Sequence, residues 1–299
     1  MSQRRLGITY ALIAYGIWGV LPLYLKALHP VPPLEIVAHR IVWSAALLIV
    51  VVAVSRKRDF IAQLRERPRI IGTFLASALA LSVNWLVYIW AVGQGRIVDA
   101  SLGYFINPLF TVVLGVAILK ERLRALQWAA IAVAAAGVLW LALLVGQVPW
   151  IGLTLAASFG TYGLLRKTAS IDALGGLTLE TLLLLPVAGL YLLSRSSSGH
   201  GSWAVAPLPL RTLLVAAGPI TAVPLLCFAA GARRIPLSLV GILQYLGPSL
   251  QLGLGVFVFH EPLPSVKLAG FALIWLALAL YATEGAVFSA RLRANALSP

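Results

Sequence analysis

Residues 70–92 read Ile70-Ile71-Gly72-Thr73-Phe74-Leu75-Ala76-Ser77-Ala78-Leu79-Ala80-Leu81-Ser82-Val83-Asn84-Trp85-Leu86-Val87-Tyr88-Ile89-Trp90-Ala91-Val92, with no charged side chain in the run. A helix crossing the hydrocarbon core of a bilayer needs roughly 20 mostly apolar residues, and this stretch has that length. A membrane β-strand is about half as long and alternates apolar with polar, which this stretch does not do. Nine further windows resemble it, so the ten apolar runs are approximately 6–26, 34–55, 69–92, 98–119, 125–144, 148–167, 174–194, 209–231, 236–259 and 265–288. The fold class that follows is an all-α membrane protein with ten transmembrane helices. Connections are short. The longest polar stretches are Ser55–Arg69 and Ser194–Pro209, the second a flexible loop built on Ser196-Ser197-Ser198-Gly199-His200-Gly201-Ser202.

Composition agrees. The chain has 299 residues, 61% of them hydrophobic and 11% charged, against about 45–50% and about 25% in an ordinary soluble domain. Disorder needs low hydrophobicity, and a disulfide scaffold needs more than the single Cys227. Met1-Ser2-Gln3-Arg4-Arg5 resembles the start of a signal peptide. The apolar run behind it is too long for one, so it reads as a retained first helix.

The net charge of +14 raises nucleic-acid binding as a possibility. Its distribution argues otherwise. With the N-terminus in the cytoplasm, 17 of the 23 basic residues fall in inside segments, Arg166 and Lys167 among them. The outer half keeps only Lys26, Arg40, Arg96, Arg195, Arg211 and Lys267. That asymmetry is the positive-inside pattern of a bacterial inner-membrane protein, with both termini cytoplasmic and no basic face for a nucleic acid.

The chain also repeats itself. At an offset of 140, Pro108 matches Pro248, Leu114-Gly115-Val116 matches Leu254-Gly255-Val256, and Glu121 matches Glu261. At an offset of 144, Tyr15-Gly16-Ile17-Trp18-Gly19 aligns with Phe159-Gly160-Thr161-Tyr162-Gly163. The expected organisation is two five-helix halves, 1–145 and 146–299. The odd number of helices inverts the second half, an architecture that places a site near the bilayer midplane. Glu121 and Glu261 read as helix-end capping or loop pairing rather than as transport groups.

Several stretches carry a family resemblance. They are Tyr15-Gly16-Ile17-Trp18-Gly19-Val20-Leu21-Pro22, His39-Arg40-Ile41-Val42-Trp43-Ser44, Asn84-Trp85-Leu86-Val87-Tyr88-Ile89-Trp90-Ala91-Val92, and Ala100-Ser101-Leu102-Gly103-Tyr104-Phe105-Ile106-Asn107-Pro108-Leu109. Across nearly its whole length the chain resembles the drug/metabolite transporter superfamily, the EamA-type ten-helix members within it, and the RarD group most. It departs at Gly93, where the RarD type has Asn. The resemblance implies a cavity lined mainly by helices one, three, four, six, eight and nine. It also implies export or exchange of small organic solutes: the RarD group is linked by name to chloramphenicol sensitivity, and other members of the superfamily export amino acids.

Polar groups in membrane helices usually face protein or a water-filled cavity. On helix four, Ser101, Tyr104, Pro108 and Thr111 share one face, with Asn107 beside them. Their mates on helix nine are Gly241, Gln244, Pro248 and Gln251, with Tyr245 adjacent. Pro108 and Pro248 are hinge candidates, since a mid-helix proline removes a backbone hydrogen bond and frees a carbonyl; the alternative is a packing kink. Tyr15, Trp18, Asn84, Trp85, Tyr88 and Tyr162 complete the candidate substrate set. Trp43, Trp128, Trp140, Trp150, Trp203 and Trp275 fit an interfacial belt or lipid-facing packing. Glu180 is the coupling candidate, set against a reading in which it pairs with a cation or snorkels to the interface.

No phosphate-binding loop and no Cys/His cluster is present, so neither an ATP-driven pump nor a metal site is expected, and no cofactor. Scattered acids and histidines argue against a membrane enzyme. The expected partners are the bilayer and a small-molecule substrate, an amino acid or another amphipathic metabolite. The expected function is alternating-access transport of amino acids, aromatic and neutral ones included. A drug permease for chloramphenicol-like compounds is the alternative.

Overall fold

A computed structural model of the chain describes residues 2–56, 59–93, 97–145, 150–258 and 265–297. Every regular element among them is an α-helix: α1 (Gln3–Ala27), α2 (Pro33–Ser55), a short α3 (Asp59–Glu66), α4 (Ile70–Gly93), α5 (Ile97–Ala117), α6 (Ala125–Val145), α7 (Trp150–Thr168), α8 (Ala173–Ser197), a single turn α9 (Ser202–Val205), α10 (Leu208–Ala232), α11 (Leu237–Leu243), α12 (Leu246–Phe257) and α13 (Ser265–Leu297). Local chemistry sets the ends. The Ser2 and Asp172 side chains accept from the backbone N–H of Arg5 and Gly175 and so cap α1 and α8. Pro32-Pro33 and Pro207 open α2 and α10, where a missing N–H costs nothing.

Among the described residues the apolar windows fall on helix apart from a residue or two at their ends, with one interruption. The run read as continuous over 236–259 divides at Gln244 and Tyr245 into α11 and α12. Pro248 has no N–H for the Gln244 carbonyl, which accepts instead from Gly247 at 3.2 Å. The helix tightens to i→i+3 bonds there and restarts.

Six of the described helices (α1, α2, α4, α6, α8 and α10) and the broken α11–α12 segment, over Leu237–Leu254, are long and apolar enough to cross a membrane, and Gly103–Ala117 and Leu268–Tyr281 are shorter apolar helices. The described part of the window at 148–167 belongs to α7, which has about half of its residues buried and carries Ser158, Tyr162 and Arg166 on that side. A helix with one face against protein needs an apolar surface only on the face that meets lipid.

The chain does not fold as two side-by-side bundles. The main contacts of α1 are with α10 and α12, of α2 with α10 and α8, and of α4 with α7 and α8. Those of α5 are with α7 and α11, and those of α6 with α13. The N-terminal and C-terminal helices thus interleave. Large apolar side chains such as Val50, Leu79, Val113, Leu143, Val187 and Leu193 remain exposed on the outside, as expected of a surface facing lipid.

The helices meet through small residues. A Cβ on Gly103 of α5 would stand 2.9 Å from the Gly152 Cα of α7, so only glycine lets the two backbones approach this closely. Charged side chains hold the helix ends. Glu121, in the connection after α5, accepts from the N–H groups of Leu237 and Ser238 at 2.6 and 2.9 Å. It therefore caps α11 across 116 residues, where the helix dipole favours an anion. This is the capping reading; Glu261 lies outside the described residues. Lys167 donates to the Ala232 and Ile235 carbonyls, and Arg233 donates to those of Ala169 and Ile171. Arg124 pairs with Glu284. Glu35, inconspicuous in the sequence, is buried and accepts from Arg195 Nε at 3.0 Å and Ser202 N–H at 2.8 Å, tying α2 to α8 and α9.

Gly103→Ala is expected to lower the thermal midpoint of the detergent-purified protein, by the overpacking cost of about 1–3 kcal/mol. Gly189→Ala, where an added Cβ meets nothing within 4 Å, is expected to leave it unchanged. Equal midpoints for the two variants would contradict the close α5–α7 contact.

Candidate functional site

One large cavity opens among the helices, with about 880 Å3 of empty space when the solvent at its open side is included. Tyr15, Trp18, Leu21 and Pro22 come from α1, Arg40 from α2, and Asn84, Trp85 and Tyr88 from α4. Gly103, Tyr104 and Asn107 come from α5, Leu155 and Phe159 from α7, and Leu225 from α10. The broken α11–α12 segment supplies Gln244, Gly247, Pro248 and Gln251.

Aromatic rings form much of the wall. Trp18 stands 5.7 Å from Tyr15, 5.5 Å from Phe159 and 5.9 Å from Phe228, centroid to centroid. Tyr88 and Tyr104 meet edge-to-face at 5.5 Å. Polar groups are few and of two kinds. Some are committed to holding the wall. Asn84 Nδ2 donates to the Leu155 carbonyl at 2.9 Å and to Ser158 Oγ at 3.1 Å, fixing α4 to α7. Pro22 deprives the Trp18 carbonyl of its helical donor, and Gln251 Nε2 supplies one at 3.1 Å. Others have no protein partner: Tyr15 Oη, Asn107 Oδ1 and Gln244 Oε1 are buried without a hydrogen bond. A buried amide oxygen left so costs about 1–3 kcal/mol, a cost that a ligand donor or a water removes.

Nine of the candidate substrate and hinge residues line this cavity, Tyr15, Trp18, Asn84, Trp85, Tyr88, Tyr104, Asn107, Gln244 and Pro248, and so does Gln251 of the helix-nine face. Three others do not. Tyr162 is fully buried behind the wall, stacked on Phe228 at 5.7 Å. Tyr245 is fully buried and donates to the Phe105 carbonyl at 3.3 Å. Pro108 packs between helices, its carbonyl 2.6 Å from where a Gly241 Cβ would lie, and Thr111 is beside it. That is the packing reading of the residue. The polar face of α5 therefore turns by one position, and Asn107 rather than Pro108 reaches the cavity. The side chain of Ser101 lies outside the described residues.

Two charges lie elsewhere than their place in the sequence suggests. Arg166, counted there among cytoplasmic loop cations, is inside α7 and fully buried. Its Nη1 lies 3.6 Å from Glu180 Oε1, which also accepts from Ser77 Oγ at 2.5 Å. Arg40, expected near the outer surface, is buried with its Cζ 4.5 Å from the Trp85 ring centroid. It adds helix two to the cavity wall. Hydropathy averages over a window and does not say which way one side chain points, so neither burial was read from the sequence, although Arg40 lies well inside an apolar run. Among the described residues no cluster of His, Cys, Asp or Glu could hold a metal ion.

Comparison with known proteins places this geometry in context. Residues 5–143 match the EamA-like transporter family. The chain is 46% identical over 283 residues to an uncharacterized transporter of Pseudomonas aeruginosa, covering 95% of each chain. It is 42% identical over 290 residues to Protein RarD of Escherichia coli, covering 97% of this chain and 98% of that one. It is 34% identical over 287 residues to the chloramphenicol-sensitive protein RarD of Pseudomonas aeruginosa, covering 94% of each. A solved crystal structure shares the fold, with a TM-score of 0.68 at 18% identity over 93% of this chain and 98% of that one.

Removing one partner of a buried ion pair is strongly destabilising, by about 3–5 kcal/mol, because the other charge stays buried. Glu180→Gln alone is therefore expected to lower the thermal midpoint markedly, and adding Arg166→Met to restore much of the loss. An additive double variant would contradict the pairing.

Proposed function

We propose that this chain, a multi-pass bacterial inner-membrane transporter that belongs to the EamA-like family of the drug/metabolite transporter superfamily and is RarD-like, carries small amphipathic metabolites, amino acids above all. One observation carries the reading: a single cavity combines aromatic walls with the unpaired amide oxygens of Asn107 and Gln244. Aromatic rings suit a bulky neutral side chain. Amide oxygens suit the N–H groups of an ammonium.

The mechanism is alternating access, with the halves 1–145 and 146–299 as inverted repeats and both termini in the cytoplasm. Their interleaved packing supports it, since tilting one half against the other closes the cavity on one side and opens it on the other. The broken helix at Gln244–Tyr245 is the flexible point, with Pro248 as its cause. No ATP-binding motif is present in the sequence, so flux follows solute gradients. Among acids, Glu180 is the group that can couple flux to protons, although its contact with Arg166 favours a structural role and facilitated exchange.

A second reading has its own support. A relative is named chloramphenicol-sensitive, and an aromatic cavity also accepts a neutral aryl drug. Proteoliposomes loaded with labelled phenylalanine, threonine or chloramphenicol separate the two. The expected result is amino-acid flux above that of empty vesicles; flux of chloramphenicol alone would favour the drug permease. Tyr88→Ala and Gln244→Ala are each expected to reduce flux about tenfold, from the loss of one ring contact or one polar contact to the solute, without changing membrane insertion. Unchanged flux in both would remove this cavity as the site. Equal flux with and without a pH gradient, in the native protein and in Glu180→Gln, is expected for exchange without protons.

A further inference from the structure

Arg40 is the cation of the cavity wall, and it is incompletely satisfied. The side chain is 7% exposed. Of the five donors a guanidinium carries, the described residues take one, Nε to Thr221 Oγ1 at 2.9 Å. No carboxylate among them lies within ion-pair distance of it. Arg40 also lines a small second cavity, shared with Glu180. Glu180 does not pair with it: among the described residues the cation within ion-pair distance of Glu180 is Arg166. A charge at this depth is costly unless something pairs with it, and an intramembrane ionisable group facing a cavity is by default a functional one.

The geometry around Arg40 selects the missing partner. The guanidinium lies over the Trp85 ring, which uses its face and leaves its edge of paired N–H groups free. That edge matches a planar carboxylate, which it binds through two parallel hydrogen bonds. Thr221 on α10 holds Nε and so sets the orientation of the fork. We propose that Arg40 anchors the carboxylate of the transported solute, so that the substrate class is a monocarboxylate with an apolar or aromatic body. The inference rests on the cavity chosen above as the transport site and gives it a polarity: carboxylate at α2, body against the rings. A role confined to tying α2 to α10 through Thr221 would give the protein no preference for anionic solutes.

Binding tests this directly and does not depend on flux. Detergent-purified protein is titrated with 3-phenylpropionate, with its neutral isostere 3-phenylpropionamide, and with sodium chloride at matched ionic strength, read by tryptophan fluorescence and thermal midpoint. The native protein is expected to bind the carboxylate about tenfold to a hundredfold more tightly than the amide, as for a hydrogen-bonded charge. Arg40→Gln is expected to abolish that gap, and Arg40→Lys to keep part of it. Equal affinities in the native protein, a chloride response equal to that of the carboxylate, or an undiminished gap in Arg40→Gln would each overturn the proposal. The native-protein comparison stands even if a variant folds poorly. If the Arg40-dependent gap is found while proteoliposomes pass no phenylalanine, the amino-acid reading fails and the anchor remains.

Discussion

In hydrocarbon a backbone N–H or C=O has no water to turn to, so each must be satisfied within the protein. The rest of this structure depends on that constraint. It makes every regular described element a helix, and it makes each helix end and each proline a demand on a side chain elsewhere. Glu121 answers for the first N–H groups of α11. Lys167 and Arg233 answer for carbonyls near the ends of α10 and α7. Gln251 answers for the carbonyl that Pro22 orphans at Trp18. These ties join residues far apart in the chain, in a setting where lipid tails compete with apolar packing between helices.

Against that background the unsatisfied groups stand out. Several buried polar atoms have no hydrogen-bond partner among the described residues; besides Tyr15 Oη, three that face the cavity are Asn107 Oδ1, Gln244 Oε1 and the free edge of Arg40. All three residues line one cavity. The buried Arg166–Glu180 pair is different. Although ionisable and deep, the two charges lie within ion-pair distance of each other at 3.6 Å, even though Arg166 Nε and Nη1 and Glu180 Oε2 make no hydrogen bond.

The helices were legible because hydrophobic length is a property of a window, and ten windows carried it. The break at Gln244–Tyr245 was not, although Pro248 signalled an irregularity nearby; a proline marks the missing bond and leaves open where the helix restarts. Aromatic and amide positions at helical spacing led to Tyr15, Trp18, Asn84, Trp85, Tyr88 and Gln244. Helical spacing placed Pro108 on the polar face with Asn107 beside it, because a spacing defines a stripe and its rotation is fixed only by packing, here by Gly241 against Pro108. Tyr162 and Tyr245 were drawn in by residue type and lie in the second layer. Arg40 and Arg166 were counted as topology signals, since a charge tally has no access to burial. Arg40 is the functional group that sequence reasoning passed over, and its position seven residues into an apolar run was the signal that could have found it.

The central claim is that this one cavity receives solute alternately from the two sides of the membrane. Gly247 lines it, with room for a side chain, since an added Cβ would meet nothing closer than the Tyr15 carbonyl at 3.7 Å. In a Cys227→Ala background, Gly247→Cys provides a single thiol at the wall. The measurement is its reaction with a membrane-impermeant maleimide applied from either face of sealed vesicles. Labelling from both faces, slowed by phenylalanine, is the predicted result. Labelling from one face only, at a rate that phenylalanine leaves unchanged, would contradict the account.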